Sequence, residues 1–204
     1  RHRITHILFS HFHADHFADF IPFFFDAVIY CKYQGGKRPP LTLIGPRGTT
    51  TLMRALMTTF PSFNRAPFRV TIREVADRSF RIGDTRIRPT TVRHAPRLHC
   101  VGYRIEYQHH VVAYSGDSLY CESLVKLCRE ADVAILDCSF PENQPGAGHL
   151  HAGECGRVAQ EAGIGRLVLS HFYPIAEQYD VRAQAGNYFS GKVRMAKDLL
   201  RLTS

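Results

Sequence analysis

No stretch of this sequence stays apolar for long. The most hydrophobic segment, Phe17 to Tyr30, is interrupted by Asp19, Pro22 and Asp26. That falls short of the roughly 18 consecutive apolar residues a membrane helix needs. The opening Arg1-His2-Arg3 leads straight into a strand pattern, with no signal peptide visible. A transmembrane or secreted protein is therefore disfavoured. None of the six cysteines (31, 100, 121, 128, 138 and 155) forms a CxxC pair or a regular framework, so they read as reduced thiols of a cytoplasmic protein. Linkers, repeats and low-complexity segments are also missing, and 204 residues suit one compact domain better than two. Lysine is absent from Arg65 to Arg104. With ten arginines against three acids (10 − 3 = +7), that segment holds almost all of the chain's +8. Such a field could attract an anionic substrate; a solvated face of Arg-edged strands is an equally good reading.

What is present is an alternation of short β-like blocks and helical patterns. Strands are expected at Ile4 to Ser10 and Leu41 to Ile44, with helices at Phe17 to Tyr33 and Thr50 to Phe60. A β-rich middle follows: Phe68 to Val75, Phe80 to Ile82, Thr85 to Arg93, Val101 to Tyr107 and Val111 to Ser115. Turn pairs such as Gly83-Asp84 punctuate it. The alternation then resumes with helix Ser118 to Glu130, strand Val133 to Leu136, helix Ala152 to Glu161 and strand Arg166 to Ser170. The tail Lys192 to Leu202 reads as one more strand or hairpin. This order implies an α/β architecture of stacked sheets with helices outside.

The chemistry is concentrated in Ser10-His11-Phe12-His13-Ala14-Asp15-His16, which places three imidazoles and a carboxylate in six residues. In an extended segment, residues two apart point the same way, so His11 and His13 can reach one point. Asp15 and His16 open the next helix and face a neighbouring point. These donors suit zinc and, less well, iron or manganese. A helix N-terminus capped by Asp15 is the plainer alternative. His94, Asp117 and His171 each stand where a β-block meets a loop, the usual place for site residues in layered folds.

On these residues the chain resembles the metallo-β-lactamase superfamily, and within it the ribonuclease Z-like branch of phosphodiesterases. The matching pieces are the first histidine motif, His94 followed by Gly102-Tyr103-Arg104, Gly116-Asp117-Ser118, Leu136-Asp137-Cys138-Ser139-Phe140, Gly148-His149, and Leu167-Val168-Leu169-Ser170-His171-Phe172-Tyr173-Pro174. The resemblance implies an αββα four-layer sandwich over residues 1–204 and two metal ions, zinc first. His11, His13 and His94 would hold one; Asp15, His16 and His171 the other; Asp117 would bridge them. It implies phosphodiester hydrolysis of a small, nucleotide-like anion by a metal-bridging hydroxide. Asp15 is then counted with the catalytic residues. His149 would protonate the leaving alkoxide and Asp137 would orient it. Other readings are a carboxyl-ester, lactone, thioester or sulfate-ester hydrolase, or a non-catalytic nucleic-acid-binding relative.

Two departures narrow this. The long arm that grips transfer RNA in ribonuclease Z has no room between His94 and Asp117, 23 positions apart, so transfer RNA is not the expected partner. The paired N-terminal strands of relatives do not precede the first motif. The expectation is an N-terminally incomplete domain with an exposed sheet edge, which a homodimer could cover. Gly45-Pro46-Arg47-Gly48-Thr49-Thr50 lacks the Gly-Lys-Ser/Thr ending of a phosphate loop and reads as a structural turn. His151 reads as a loop residue, and His109-His110 as a hairpin turn. Most of Phe12, Phe17, Phe20, Phe23, Phe24 and Phe25 read as core rather than as a substrate floor.

Overall fold

The computed structural model describes residues 2–202, and most of the expected strands and helices form there, several with shorter limits. The chain divides into two units, residues 1–76 and 77–204.

In the first unit β1 (His6–Leu8), β2 (Leu41–Gly45) and β3 (Val70–Glu74) form a parallel sheet in that order. Parallel neighbours need crossover connections, and helices supply them. The first crossover carries α1 (Ala14–Phe17) and α2 (Phe20–Tyr33); the second carries α3 (Thr49–Thr59) and α4 (Pro61–Asn64). One continuous helix from Phe17 is not what forms. Within such a helix the Pro22 ring would meet the carbonyl of residue 18; the chain instead restarts at Phe20, which puts Pro22 in a first turn. Phe20, Phe24 and Val28 bury one face of α2 against Leu41, Leu43, Met53, Leu56 and Phe63. Phe24 lies 4.3 Å from the Phe63 ring, and full burial of such a side chain stabilises by about 1.5–3 kcal/mol. Among the described residues β1 pairs with β2 and has no second strand partner.

The second unit is a seven-stranded mixed sheet. Its strands are β4 (Phe80–Ile82), β5 (Thr85–Val92), β6 (Cys100–Tyr107), β7 (His110–Tyr114), β8 (Val133–Asp137), β9 (Arg166–Ser170) and β10 (Lys192–Met195), in the order β10-β9-β8-β7-β6-β5-β4. The pairs from β4 to β7 are antiparallel and those from β7 to β10 parallel. Strands β5, β7, β8 and β9 therefore run the same way, and the segments that follow them emerge at one edge of the sheet. Helices α5 (Glu122–Cys128) and α6 (Ala152–Ala162) pack Leu124, Leu127, Val158 and Ala159 onto Ala113, Ala134, Leu136, Leu167 and Leu169. A Cβ on Gly102 would meet the Leu127 side chain at 2.5 Å and the Tyr114 carbonyl at 2.8 Å; glycine there lets the helix approach. His110 opens β7 rather than completing the hairpin turn, and of the tail only Lys192–Met195 is strand. The short helix α7 (Val181–Gly186), capped by Asp180, was not anticipated. Among the described residues no helix is long and apolar enough to cross a membrane.

Candidate active site

In the first unit the residues after β1 bring the histidine motif together. His13 is extended (φ −70°, ψ 151°) at the position preceding α1, and the His11 and His13 rings converge, with Nε2 of His11 3.2 Å from Nδ1 of His13. The other His11 nitrogen, Nδ1, lies 3.1 Å from Ser10 Oγ. Asp15 Oδ2 and His16 Nε2 are 3.2 Å apart, and the His16 ring centroid is 4.1 Å from that of His11. Alternation along the extended segment thus does what the sequence leads one to expect.

In the second unit the common strand edge gathers His94 after β5, Asp117 after β7, Asp137 at the end of β8 and His171 after β9; His149 comes from the loop before α6. Each imidazole is turned by a partner on its Nδ1. That of His94 donates to the Gly148 carbonyl at 2.6 Å. The His171 Nδ1 lies 2.9 Å from Ser139 Oγ, whose own hydrogen goes to Asp137 Oδ1 at 2.6 Å, so the ring donates to the hydroxyl. His149 Nδ1 donates to Asp137 Oδ2 at 2.8 Å. The Nε2 atoms of His94 and His171 are then left facing the two oxygens of buried Asp117, each at 3.7 Å. That is too long for hydrogen bonds. Lone pairs converging on a carboxylate, each backed by a carbonyl or hydroxyl acceptor, are the arrangement that fits a divalent cation. Asp117, His149 and His171 each offer a ligand atom within 4.8 Å of one another.

Asp137 differs in kind. Its Oδ1 accepts from Ser139 N and Oγ, and its Oδ2 accepts from Ser118 N and His149. Four donors thus converge on one buried carboxylate, and both of its oxygens are used as acceptors. Ser115 binds the strand ends beneath it, accepting from Asp137 N at 2.9 Å and donating to the Gly116 carbonyl at 2.6 Å. Cys155 donates to the Asp137 carbonyl at 3.1 Å, and burial pushes its thiol well above the ordinary range, with Cys138 beside it. His171 sits at φ +60°, a conformation that costs a non-glycine residue on the order of 1–3 kcal/mol and persists where its surroundings over-determine it.

Four contributors were not singled out from sequence as functional. Ser139 and Ser115 sit inside matched motifs or beside them, the Gly148 carbonyl turns His94, and the Tyr173 hydroxyl is 3.3 Å from His149 Nε2. His151 has a structural explanation: it caps α6, accepting from Glu154 N while Glu154 accepts from His151 N.

Residues 1–172 match the profile of a family described as a β-lactamase superfamily domain. Among individual relatives, the probable metallo-hydrolase YhfI of Bacillus subtilis is 29% identical over 96% of this chain and 77% of its own length. A ribonuclease Z of Mycolicibacterium paratuberculosis is 27% identical over 98% of this chain and 79% of its own. The crystal structure of YhfI superposes with a TM-score of 0.78 over 94% of this chain and 74% of YhfI. At 20% identity, the short form of human tRNase Z shares the fold, with a TM-score of 0.74 over 98% of this chain and 78% of that one.

Proposed function

Because the chain belongs to the metallo-β-lactamase superfamily, we propose that it is a metal-dependent hydrolase of phosphodiester bonds in a small, nucleotide-like anion, and that it works as one catalytic domain. The observation that carries the reaction type is the Asp137–His149 pair. Superfamily members that open an activated acyl bond can expel their leaving group unaided, whereas a poor alkoxide benefits from a positioned acid.

The proposed ligands are His11, His13, Asp15 and His16 from the first unit, and His94, Asp117 and His171 from the second. They would hold two zinc ions, with iron or manganese as the alternatives. When bound, such ions supply Lewis acidity and a water that ionises near neutral pH. The chain's own residues do the rest. Asp137 holds the Nδ1 proton of His149, so the protonated imidazolium carries its second proton on Nε2 and gives that one to the departing oxygen, leaving neutral imidazole with its hydrogen on Nδ1. Ser139 fixes both His149 and His171 against Asp137. The Gly148 carbonyl keeps the His94 Nε2 aimed at Asp117. Between His94 and Asp117 the chain is spent on β6, β7 and their connections, so no transfer-RNA-gripping arm is proposed there.

The test is turnover by the metal-loaded protein of adenosine 2′,3′-cyclic phosphate and bis(p-nitrophenyl) phosphate against p-nitrophenyl acetate and a lactone, with elemental analysis alongside. Phosphodiester turnover that a chelator abolishes is expected. A loaded protein inert to every phosphodiester refutes the proposal, and ester or lactone turnover alone replaces it.

A further inference from the structure

Two aromatic rings pack around His149, and one of them reaches the nitrogen that is not bonded to Asp137. The Tyr173 hydroxyl lies 3.3 Å from His149 Nε2, and its ring centroid is 5.2 Å from the imidazole. Phe140 meets Tyr173 edge-on at 5.1 Å and His149 at 6.0 Å. The Phe140 ring lies against Gly146, where any Cβ would collide with it, so it is clamped. Tyr173 keeps 39% of its surface exposed while His149 is buried.

We infer that Phe140 and Tyr173 form a stacking subsite for a planar ring on the leaving side of the substrate, which makes nucleoside or aryl phosphodiesters its preferred class. The inference rests on the reaction proposed above. With Nδ1 engaged by Asp137, only Nε2 can serve the leaving oxygen, and proton transfer requires that oxygen within about 3 Å of it. The group carried by that oxygen must therefore pass the Tyr173 ring. An exposed aromatic edge beside a clamped one suits a flat base, with the hydroxyl available to a polar rim. Of the phenylalanines weighed from sequence as a substrate floor, Phe20 and Phe24 are consumed in the core of the first unit, and Phe12, Phe17 and Phe23 pack against that core.

The test compares two substrates with the same scissile bond, adenosine 2′,3′-cyclic phosphate and its abasic ribose counterpart. It also compares the affinities of adenosine 5′-monophosphate and ribose 5-phosphate, measured by calorimetry. Wild-type protein should prefer the base-bearing member of each pair by about five- to hundredfold, the range for one base stacked on an aromatic residue. Tyr173→Leu should bring both ratios to within twofold of unity with metal content unchanged, and Tyr173→Phe should keep them. Wild-type ratios near unity, or ratios that survive Tyr173→Leu, overturn the inference. Where Tyr173→Leu fails to fold, Phe140→Leu must lower the ratios instead. Absence of all turnover defeats the proposed reaction, while the calorimetric ratio still reads the subsite by itself.

Discussion

Replacing Asp137 by asparagine changes one oxygen to an amide nitrogen at a carboxylate that four donors share. With the amide nitrogen at the Oδ2 position, two donors, Ser118 N–H and His149 Nδ1–H, face a third. With the nitrogen at the Oδ1 position, Ser139 N–H is left facing it. Either way a buried donor loses its acceptor, which costs about 1–3 kcal/mol, and a charge-assisted bond is lost as well. The combined destabilisation is about 2–4 kcal/mol. For a chain of this length that is a fall in Tm of roughly 4–16 °C, readable by calorimetry. The kinetic effect is distinct, because the neutral amide no longer supports the imidazolium of His149 that carries the deliverable proton on Nε2. Turnover of an alkyl phosphodiester should fall by about 10²–10⁴-fold, the scale for a misplaced acid or tautomer. Turnover of bis(p-nitrophenyl) phosphate should fall far less, since p-nitrophenolate departs without a proton. An Asp137→Asn protein with unchanged Tm, or one that loses both substrates equally, would refute the reasoning.

Asp117→Ala removes the carboxylate that faces Nε2 of both His94 and His171, and elemental analysis should show the purified variant stripped of metal; full occupancy would exclude Asp117 as the shared ligand. Gly148→Ala forces a side chain into φ +85° with its Cβ 3.4 Å from His94 Nδ1, so the carbonyl that turns His94 must shift. Metal affinity should drop about 10–100-fold in a chelator competition, as when an outer-shell partner is lost, whereas Gly83→Ala, at a remote turn with open space around it, should leave that affinity alone. Burial pushes the Cys100 thiol up to about 11 and that of Cys128 up to about 12. Raised values mean that Cys100 and Cys128 stay protonated at pH 8, and all of Cys100, Cys128, Cys138 and Cys155 are buried, so a thiol reagent should label Cys31 and Cys121 in the native protein and all six cysteines after unfolding; rapid native labelling of four or more would contradict this packing.

The strands were legible because their apolar blocks are bounded by turn residues. Arg166–Ser170 and Phe80–Ile82 form with the expected limits, and Gly83 supplies the positive φ of the turn after β4. The helix expected over Ser118 to Glu130 shrinks to Glu122–Cys128 for a reason periodicity cannot show. Ser118 N is committed to Asp137, and Glu130 turns to φ +52°. Short α4 and α7 went unread because a proline at the first position and a single aspartate cap define them, not an apolar stripe. The first histidine motif was plain, since four donor side chains in six residues point to a metal whatever the fold. Ser139 and Gly148 were opaque: one acts through a hydroxyl, the other through a carbonyl, and both acquire a role only when strand ends meet. His171 shows why that gap is physical. Its backbone sits at φ +60° because Cys138 N bonds the Ser170 carbonyl and Tyr173 N bonds the Ser139 carbonyl, pinning the chain on both sides of it. The same stretch, Cys138 to Phe140, carries the hydroxyl that turns the His171 ring and the phenyl group that flanks His149. One loop after β8 therefore sets the strain, the tautomer and the aromatic wall together. Substitutions at Ser139 should accordingly disturb metal affinity and proton delivery in the same variant, a coupling that independent motifs would not produce.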